Sequence, residues 1–366
     1  MRCGELNAES IELLYSISNA ISEKVTDKKI DRCKVCLQLI IKELIGKGKI
    51  NEIPTNIPEL MTFLKSNNMT SYIDGEVPKR PIIDSYGDLD EFVIETISEV
   101  PEVEKAQKKM ADILKLIREL DSEDKEEIYR KVRLFIINNY IISSRELDIQ
   151  LMNNFNPTIA KKIKDMYKIS NDVNGDYKLC PVCGKPLNFI EASTGSCSDV
   201  CEYYRNRDKL EATQVSFDTK VKKLHDGIYK FIIKPSIGEI EIYKSLKSRF
   251  NDYEVELYPN VDEYDISIST GEKSIALDIK DVREPSNLIN ILLNNTNLKK
   301  FNEQKSVDEV FLVIPDHRVR IYNEDQNKNY MSELNALIRN KGLNLKAIRE
   351  NNIYKKISNI FEGEVW

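Results

Sequence analysis

The fold of the last third of the chain is decided by residues 262–281, which read DEYDISIST followed by GEKSIALDIKD. Ile275 and Leu277 alternate with Ala276 and Asp278, and such alternation is typical of a β-strand. Residues 265–269 predict a strand before it, and Gly271 provides a turn between the two. We therefore expect a hairpin that brings the carboxylates of its two strands together.

Predicted elements on both sides extend this hairpin into a larger domain. In chain order they are a helix at 237–250, a strand at 253–258, the hairpin strands at 265–269 and 274–279, a helix at 288–298, a strand at 310–314, a helix at 331–338 and a strand at 343–348. The order α-β-β-β-α-β-α-β predicts an α/β domain with a mixed central sheet flanked by helices.

Length and composition limit what the whole chain can be. Its 366 residues fit two or three domains at the usual size of about 100–200 residues each. The chain is 41% hydrophobic and 31% charged, and no apolar run approaches the roughly 18 residues that span a bilayer, so a membrane protein and a disordered chain are both excluded. Its first residues do not read as a secretory signal, so we expect a cytoplasmic protein.

The first 120 residues predict a helical N-terminal domain. Apolar residues recur at helical spacing from Ile11 to Val25, from Cys33 to Ile45 and from Glu91 to Leu120, around a polar, turn-rich connection at residues 67–90. Cys33 and Cys36 lie on an apolar helical face with no second cysteine pair nearby. We interpret both as core residues rather than metal ligands.

Residues 121–178 predict a second helical segment. A helix begins near Asp121, and Ser143 and Asn156 are plausible caps of two shorter helices. Three short helices joined by polar turns can form a helix-turn-helix that binds DNA, or a plain helical bundle. The sequence leaves both interpretations open.

Residues 179–234 contain two close cysteine pairs, Cys180 with Cys183 and Cys197 with Cys201. Each pair can place two thiolates on one ion, and the connection between the pairs lets the second pair complete a tetrahedron. The alternative is four buried thiols without a metal ion. The sequence motifs CPVCGKPL and SCSDVCEYYR resemble those of treble-clef zinc fingers. The resemblance implies a structural Zn²⁺ and a helix that begins at the second cysteine pair.

The net charge of −6 does not by itself indicate a nucleic-acid-binding protein. Residues 155–235 nevertheless carry 14 Lys and Arg against 10 Asp and Glu. Six basic residues follow the second cysteine pair and are our candidates for contact with a nucleic-acid backbone: Arg205, Arg207, Lys209, Lys220, Lys222 and Lys223. An ordinary solvated helix face explains the same residues equally well.

The hairpin itself carries the candidate chemistry. In an extended strand Asp278 and Lys280 share one face, about 7 Å apart along the strand, and the turn brings Asp265 near them. Paired carboxylates with open coordination positions suit Mg²⁺, which can polarise a phosphate and activate water. The alternative is that these charged side chains form only ordinary surface salt bridges, without a metal ion. The chain has two histidines, neither in a nucleophile arrangement, so a Ser-His-Asp or Cys-His enzyme is not expected.

These residues and the order of elements resemble the PD-(D/E)xK restriction-endonuclease superfamily. The resemblance implies that Asp265, Asp278 and Lys280 are catalytic and that the two aspartates bind Mg²⁺ or Mn²⁺. The upstream words SIGEIEIYKSL are similar to the first helix of such nucleases, which adds Glu239 as a metal ligand, with Glu241 a weaker candidate. The proline of the family's name is replaced by Tyr264.

A closer resemblance covers LYPNVDEYDISI, ALDIKD and the cysteine pairs upstream. It is to the restriction-endonuclease component of prokaryotic PIWI-RE defence islands, which also encode a PIWI-type protein and a DinG-like helicase. The resemblance implies a nuclease that cuts DNA in an antiviral or plasmid-restricting complex with those partners. A catalytically silent nucleic-acid-binding or assembly subunit is the alternative, and a homo-oligomer stays open.

The sequence therefore predicts a multidomain α plus α/β protein. Its expected domains are a helical N-terminal region at 1–120, a helical segment at 121–178, a four-cysteine zinc finger with a basic helix at 179–234 and a restriction-endonuclease-like α/β domain at 235–366.

Overall fold

The computed structural model describes residue 6 and residues 8–21, 27–75, 77–83, 89–90, 92–93, 101–121, 123–169, 176–187, 195–217, 220–294, 297–302 and 307–361. The chain divides into two compact units, Met1–Lys105 and Ala106–Trp366. Among the residues that the structure describes, no helix is both long and apolar enough to cross a membrane.

The helices of the described residues are α1 (Ala8–Ile21), α2 (Asp27–Gly46), α3 (Ile57–Ser66), α4 (Pro101–Arg118), α5 (Lys125–Asn138), α6 (Ser144–Asn154), α7 (Pro157–Lys164), α8 (Asp199–Asp208), α9 (Lys234–Arg249), α10 (Pro285–Asn294), α11 (Asn297–Asn302), α12 (Asp316–Gln326), α13 (Tyr330–Asn340) and α14 (Ile353–Phe361). The strands are β1 (Ile141–Ser143), β2 (Tyr167–Ile169), β3 (Asp176–Leu179), β4 (Thr213–Ser216), β5 (Val221–Leu224), β6 (Glu254–Leu257), β7 (Ile266–Ser269), β8 (Ser274–Ile279), β9 (Glu309–Ile314) and β10 (Ala347–Arg349).

The first unit is built on helices α1, α2 and α3, as predicted. Its apolar core is completed by Met69, Tyr72 and the residues near Ile82. Cys33 and Cys36 are buried in this core, which confirms their interpretation as packing residues, and burial raises the pKa of Cys36 to about 12. Val25 and the expected helix start at Glu91 lie outside the described residues.

The second unit contains the predicted mixed sheet, with strand order β10-β9-β8-β7-β6. Strands β6, β7 and β8 pair antiparallel, whereas β8, β9 and β10 pair parallel. One face of the sheet packs against α9 and α14, and the other against α10 and α13. The predicted sheet with helices on both faces is therefore confirmed.

Four details of this domain differ from the prediction. The helix expected at 288–298 is two helices, α10 and α11, which begin at Pro285 and Asn297. Helix α12 was not predicted because the stretch DHRVRIYNEDQ has few apolar residues, although His317 and Arg318 within it are buried. Helix α14 was also not predicted, although Ile353 and Ile357 are buried at the i, i+4 spacing of a helix. The last strand covers 347–349 instead of 343–348, since Gly342 at φ +62° ends α13 and residues 343–346 lead into the strand.

Two small sheets precede the large one in the chain. Strands β1, β5 and β2 form an antiparallel sheet in that order, with α6 and α7 between β1 and β2 in sequence. Strands β3 and β4 form an antiparallel pair within the long connection between β2 and β5. None of these strands was predicted, because strands of three or four residues carry too little periodicity.

Candidate active site

The predicted catalytic residues on the hairpin are brought together by β7 and β8. Ile266 pairs with Leu277, and the backbone N–H of Asp265 donates to the Leu277 carbonyl at 3.1 Å. Asp278 is the second-to-last residue of β8. Just beyond the strand, the N–H of Lys280 donates to the Val313 carbonyl of β9 at 2.9 Å. The sheet register therefore fixes all three predicted hairpin residues at one end of the central strands.

The charged groups of this cluster lie within direct contact distance. Lys280 Nζ is 3.0 Å from Asp278 Oδ1 and 3.9 Å from Asp265 Oδ2. Lys300 of α11 also contacts Asp278 Oδ1. Asp265 Oδ2 accepts a hydrogen bond from the Ile279 N–H at 2.6 Å. No sequence pattern predicts Lys300, because one lysine among several in a short helix has no distinguishing spacing.

One oxygen of the cluster has no hydrogen-bond partner among the described residues. Asp278 is 1% exposed, and none of those residues donates to its buried Oδ2 atom. A buried carboxylate oxygen without a partner is costly, because its desolvation is not compensated. A cation is the ligand that would satisfy it.

Burial and neighbouring charges shift the two carboxyl groups in opposite directions. Burial raises the pKa of Asp265 to about 8, and the carboxylates of Glu239 and Asp278 add to this effect against Lys280. Burial also acts on Asp278, but the ammonium groups of Lys280 and Lys300 outweigh it and lower the pKa of Asp278. The same carboxylates raise the pKa of Lys280 against the opposing effect of its burial. The end of the hairpin thus favours a positive charge beside Asp278.

Glu239, the acid predicted from the upstream helix, is buried at the edge of this cluster. It is 4% exposed on α9, and its Oε2 accepts from the Tyr258 hydroxyl at 2.7 Å. Arg133 of α5 lies 3.5 Å from the same oxygen. The negative charge of the Glu239 carboxylate raises the pKa of both Asp265 and Lys280. Tyr258 and Arg133 therefore hold the Glu239 carboxylate in place, and it is near enough to Asp265 and Lys280 to shift their pKa values.

The connection between β6 and β7 holds Tyr258 in a strained backbone. Tyr258, Asn260 and Val261 have φ values of 55°, 51° and 56°. Such values are uncommon for residues other than glycine and most unfavourable for a β-branched residue. Hydrogen bonds from α4 and α5 stabilise this loop, since Arg118 donates to the Val261 carbonyl and Arg130 to that of Leu257. The strained loop fixes the position of Tyr258 and leads directly to Asp265.

The fit to a hard divalent ion rests on this donor set. Oxygen ligands from carboxylates are what Mg²⁺ and Mn²⁺ bind. Asp265 and Asp278 face each other across the Lys280 ammonium, and Asp278 retains the unpartnered oxygen. Among the described residues, however, the carboxylates are not grouped as tightly as a three-ligand cluster within 4.8 Å. The residues fit a divalent ion that would compensate the charge of Asp265 and Asp278, which the ammonium groups of Lys280 and Lys300 compensate in this structure.

Glu241, the weaker candidate, lies in a different environment. Its carboxylate accepts from Arg207 at 2.6 Å and from Lys244 at 2.9 Å. Arg207 is in the last turn of α8, and Lys244 is on α9. Glu241 is therefore engaged in a salt-bridge cluster between α8 and α9, and among the described residues it makes no ion pair with Asp265, Asp278 or Lys280.

The four cysteines form a compact cluster in the β2–β5 connection. Cys180 and Cys183 lie at the turn after β3, Cys197 precedes α8, and Cys201 is in its first turn. Ligand atoms of all four lie within 4.8 Å of one another, with Cys183 and Cys197 sulfurs 3.2 Å apart. Four thiolates around zinc at about 2.3 Å would lie about 3.8 Å apart, so the residues fit such a site.

Burial and mutual hydrogen bonds shift the pKa values of the thiols in the cluster. All four cysteines are buried, and burial raises the pKa of Cys183 and Cys201. Hydrogen bonds from the other thiols lower the pKa of Cys180. A divalent cation would offset the cost of holding several thiolates in this buried place. Because all four positions are sulfur, such an ion would be structural.

The basic residues predicted to contact nucleic acid lie on two elements. Arg205, Arg207 and Lys209 belong to the end of α8, where Arg207 pairs with Asp208 and Glu241. Lys220, Lys222 and Lys223 lie on or next to β5. The structure therefore separates them into a group beside the α/β domain and a group on the small β1-β5-β2 sheet.

A mixed sheet whose central hairpin ends in Asp265, Asp278 and Lys280 is the arrangement of a restriction-endonuclease-like domain. Residues 236–364 match the model of the protein family described as "REase associating with pPIWI_RE". This match confirms the family resemblance seen in the sequence. No curated protein matches the chain.

Proposed function

We propose that this protein is a metal-dependent nuclease that hydrolyses the phosphodiester bonds of DNA. Asp265 and Asp278 would bind a catalytic Mg²⁺ or Mn²⁺ ion together with Glu239, and the four cysteines would hold a structural Zn²⁺. The observation that carries the proposal is the buried Asp278 carboxylate, whose Oδ2 atom has no hydrogen-bond donor in the described part of the chain and which lies beside Lys280 and Asp265.

Each side chain of the cluster has a role that its contacts support. The ion, when bound, polarises the phosphate and lowers the pKa of the attacking water. Asp265 and Asp278 present carboxylate oxygens at the end of rigid strands. Lys280, held 3.0 Å from Asp278, is positioned to stabilise negative charge on the phosphate or to orient water. Tyr258 and Arg133 keep Glu239 oriented toward the cluster.

The biological setting follows from the family. Its description names an association with pPIWI_RE. We propose that the chain is the cutting subunit of a prokaryotic complex that acts against viruses or plasmids, with a PIWI-type protein and a DinG-like helicase as partners.

A cleavage assay tests the chemistry. Purified protein is incubated with supercoiled plasmid and with single-stranded DNA, with Mg²⁺, with Mn²⁺ or with neither. Asp278→Asn removes a ligand charge and should reduce cutting by about 100-fold or more. Asp252→Asn makes the same chemical change at an exposed turn and should leave cutting unchanged.

Two results would contradict the proposal. Cutting that is equal in the presence and absence of divalent ions would exclude the assigned metal chemistry. Equal cutting by wild type and Asp278→Asn would show that the activity resides elsewhere. No cutting by the wild type, alone or with its partners, would support the catalytically silent subunit instead.

A further inference from the structure

The segment between α4 and α9 contains a module with a specific topology. In chain order it consists of α5, β1, α6, α7, β2 and β5, and its strands pair in the order β1-β5-β2. Helices α6 and α7 are separated by the two residues Phe155 and Asn156. A helix pair that follows one strand and precedes an antiparallel hairpin is the arrangement of a winged helix-turn-helix.

The helices and the sheet of the module belong to an apolar core that continues into the α/β domain. The buried apolar side chains of the module include Ile142, Leu147, Leu151, Ile159, Ile163, Met166 and Leu224. Asn156 caps α7 by accepting from the Ile159 N–H at 2.9 Å, and Pro157 occupies the first turn. Packing and capping therefore fix α7 on the module, with Thr158, Lys161 and Lys164 exposed and Lys162 half-buried.

The exposed surface of α7 is basic. The helix reads PTIAKKIK and contains three lysines and no acid. Lys164 pairs with Asp148 at 2.7 Å, whereas Lys161 and Lys162 make no ion pair within the described part of the chain. Asp165 follows the helix and is the one acid beside it in sequence. The positive charge of Lys161 and Lys162 is thus not compensated by a neighbouring carboxylate.

The adjacent sheet adds to this charge. Lys168 of β2 is exposed, and its Cα partner in β5 is Lys223. Lys222 of β5 pairs with Ile169, and Lys220 precedes the strand as an exposed residue. The Lys223 ammonium lies over the Tyr140 ring, 5.4 Å from its centroid, and the lysines of both strands add positive charge to the sheet.

From this geometry we infer that residues 125–169 and 220–224 form a winged helix-turn-helix that binds duplex DNA. Helix α7 would lie in the major groove, with Thr158, Lys161 and Lys162 toward it, and the lysines of β2 and β5 would contact the phosphates on either side. This surface goes beyond the proposed hydrolysis and does not depend on it.

Duplex DNA is favoured over a protein partner by where the charges lie. The lysines occupy α7, β2 and β5, which are the elements that such a fold presents to DNA. The exposed large apolar residues of the module are Ile149 and Met152 on α6 and Ile169 on β2, and α7 contributes none. A protein bound to the module would depend on those apolar residues rather than on the lysines of α7.

The structure also indicates how this module is held relative to the hairpin acids. In an ordinary winged helix the hairpin between the last two strands is short, whereas here it is replaced by the cysteine cluster and α8. Asp199 of α8 lies 3.6 Å from Lys234 and 3.4 Å from Arg318. The cysteine cluster therefore connects the DNA-binding surface rigidly to the α/β domain.

Fluorescence anisotropy tests the inference with the full chain. The probe is a labelled duplex of about 21 base pairs, two helical turns, without Mg²⁺ and without chelator, so that cutting plays no part and bound zinc is retained. Lys161→Gln with Lys162→Gln should weaken binding by about tenfold or more and reduce the slope of log K against log salt by about 2. The matched control is Lys355→Gln with Lys356→Gln, two consecutive exposed lysines of α14.

A second variant protects the test against misfolding. Thr158→Glu places a carboxylate in the first turn of α7, where it favours the helix but repels phosphate. It should weaken duplex binding with an unchanged melting temperature. The inference is overturned if both α7 variants bind the duplex as tightly as the α14 control, or if a single-stranded or RNA probe binds more tightly than the duplex. Loss of DNA cutting with intact duplex binding would contradict only the proposed nuclease.

Discussion

The two candidate metal sites of this protein differ in how their ligands are brought together. The cysteine cluster is assembled from ligands that lie at most 21 residues apart in the sequence. At the hairpin site Asp265 precedes β7 and Asp278 lies near the end of β8, two lysines compensate their charge, and Glu239 of α9 is the proposed third ligand. A closed set of four sulfurs suits a structural ion, whereas acids mixed with ammonium groups suit an ion that meets substrate.

The largest effect is expected at the cysteine cluster. Cys197→Ala removes one of four ligands, and the apparent binding free energy of structural zinc in small fingers is about 10–16 kcal/mol, which couples to folding. We expect loss of zinc, measured by elemental analysis, and a large fall in melting temperature. Cys36→Ala is the control, since it removes a buried thiol from the other unit and should leave the zinc content unchanged. Full zinc retention by Cys197→Ala would contradict the assignment.

The second prediction concerns the buried network that links the two regions. Asp281, one residue after Lys280, contacts His317 at 3.0 Å and Arg318 at 2.5 Å, and Arg318 also reaches Asp199 of α8. Asp281→Asn leaves Arg318 with less compensation in a buried place. We expect a loss of about 3 kcal/mol in the free energy of unfolding at pH 7, measured with urea.

The pH dependence of this loss follows from the pKa of Asp281. Arg318 and His317 outweigh burial and lower the pKa of Asp281 well below its usual range. A lowered pKa in the folded state gives stability that is present above the unfolded value of about 4 and is lost as the pH falls through the folded value. The difference between wild type and Asp281→Asn should therefore shrink below about pH 4. A difference that grows toward acid would contradict the assigned charge state.

The third prediction separates the two lysines of the hairpin site. Lys280 lies near both aspartates, whereas Lys300 contacts Asp278 alone. We expect Lys280→Met to reduce cutting by about 100-fold and Lys300→Met by about tenfold. The reason is that the Lys280 ammonium lies near both aspartates. Rates of plasmid cleavage at saturating Mg²⁺ measure this order. Equal losses would show that both lysines serve mainly to neutralise Asp278.

The smallest effect is expected from the strained loop. Arg130→Ala removes the hydrogen bond to the Leu257 carbonyl next to Tyr258. We expect a loss of about 1 kcal/mol in stability and a few-fold decrease in cutting, because Tyr258 would orient Glu239 less well. Lys131→Ala, at an exposed neighbouring position, is the control. Unchanged cutting with lowered stability would limit Arg130 to a structural role.

The same contrast explains what could be read from the sequence. The cysteine pairs and the hairpin acids carry their signal in local spacing, and the central sheet follows from strong apolar runs such as residues 310–314. Lys300, Tyr258 and Arg133 join the site through tertiary contacts between distant elements, which no local pattern encodes. Helix α12 was missed for a related reason, because its buried residues are His317 and Arg318 rather than apolar side chains alone.

Anomalous diffraction from crystals soaked in Mn²⁺ tests the central proposal most directly. The account predicts an anomalous peak in contact with the carboxylates of both Asp265 and Asp278 that is lost in Asp278→Asn. A soaked crystal with no peak at these residues, or a peak that persists unchanged in Asp278→Asn, would contradict it.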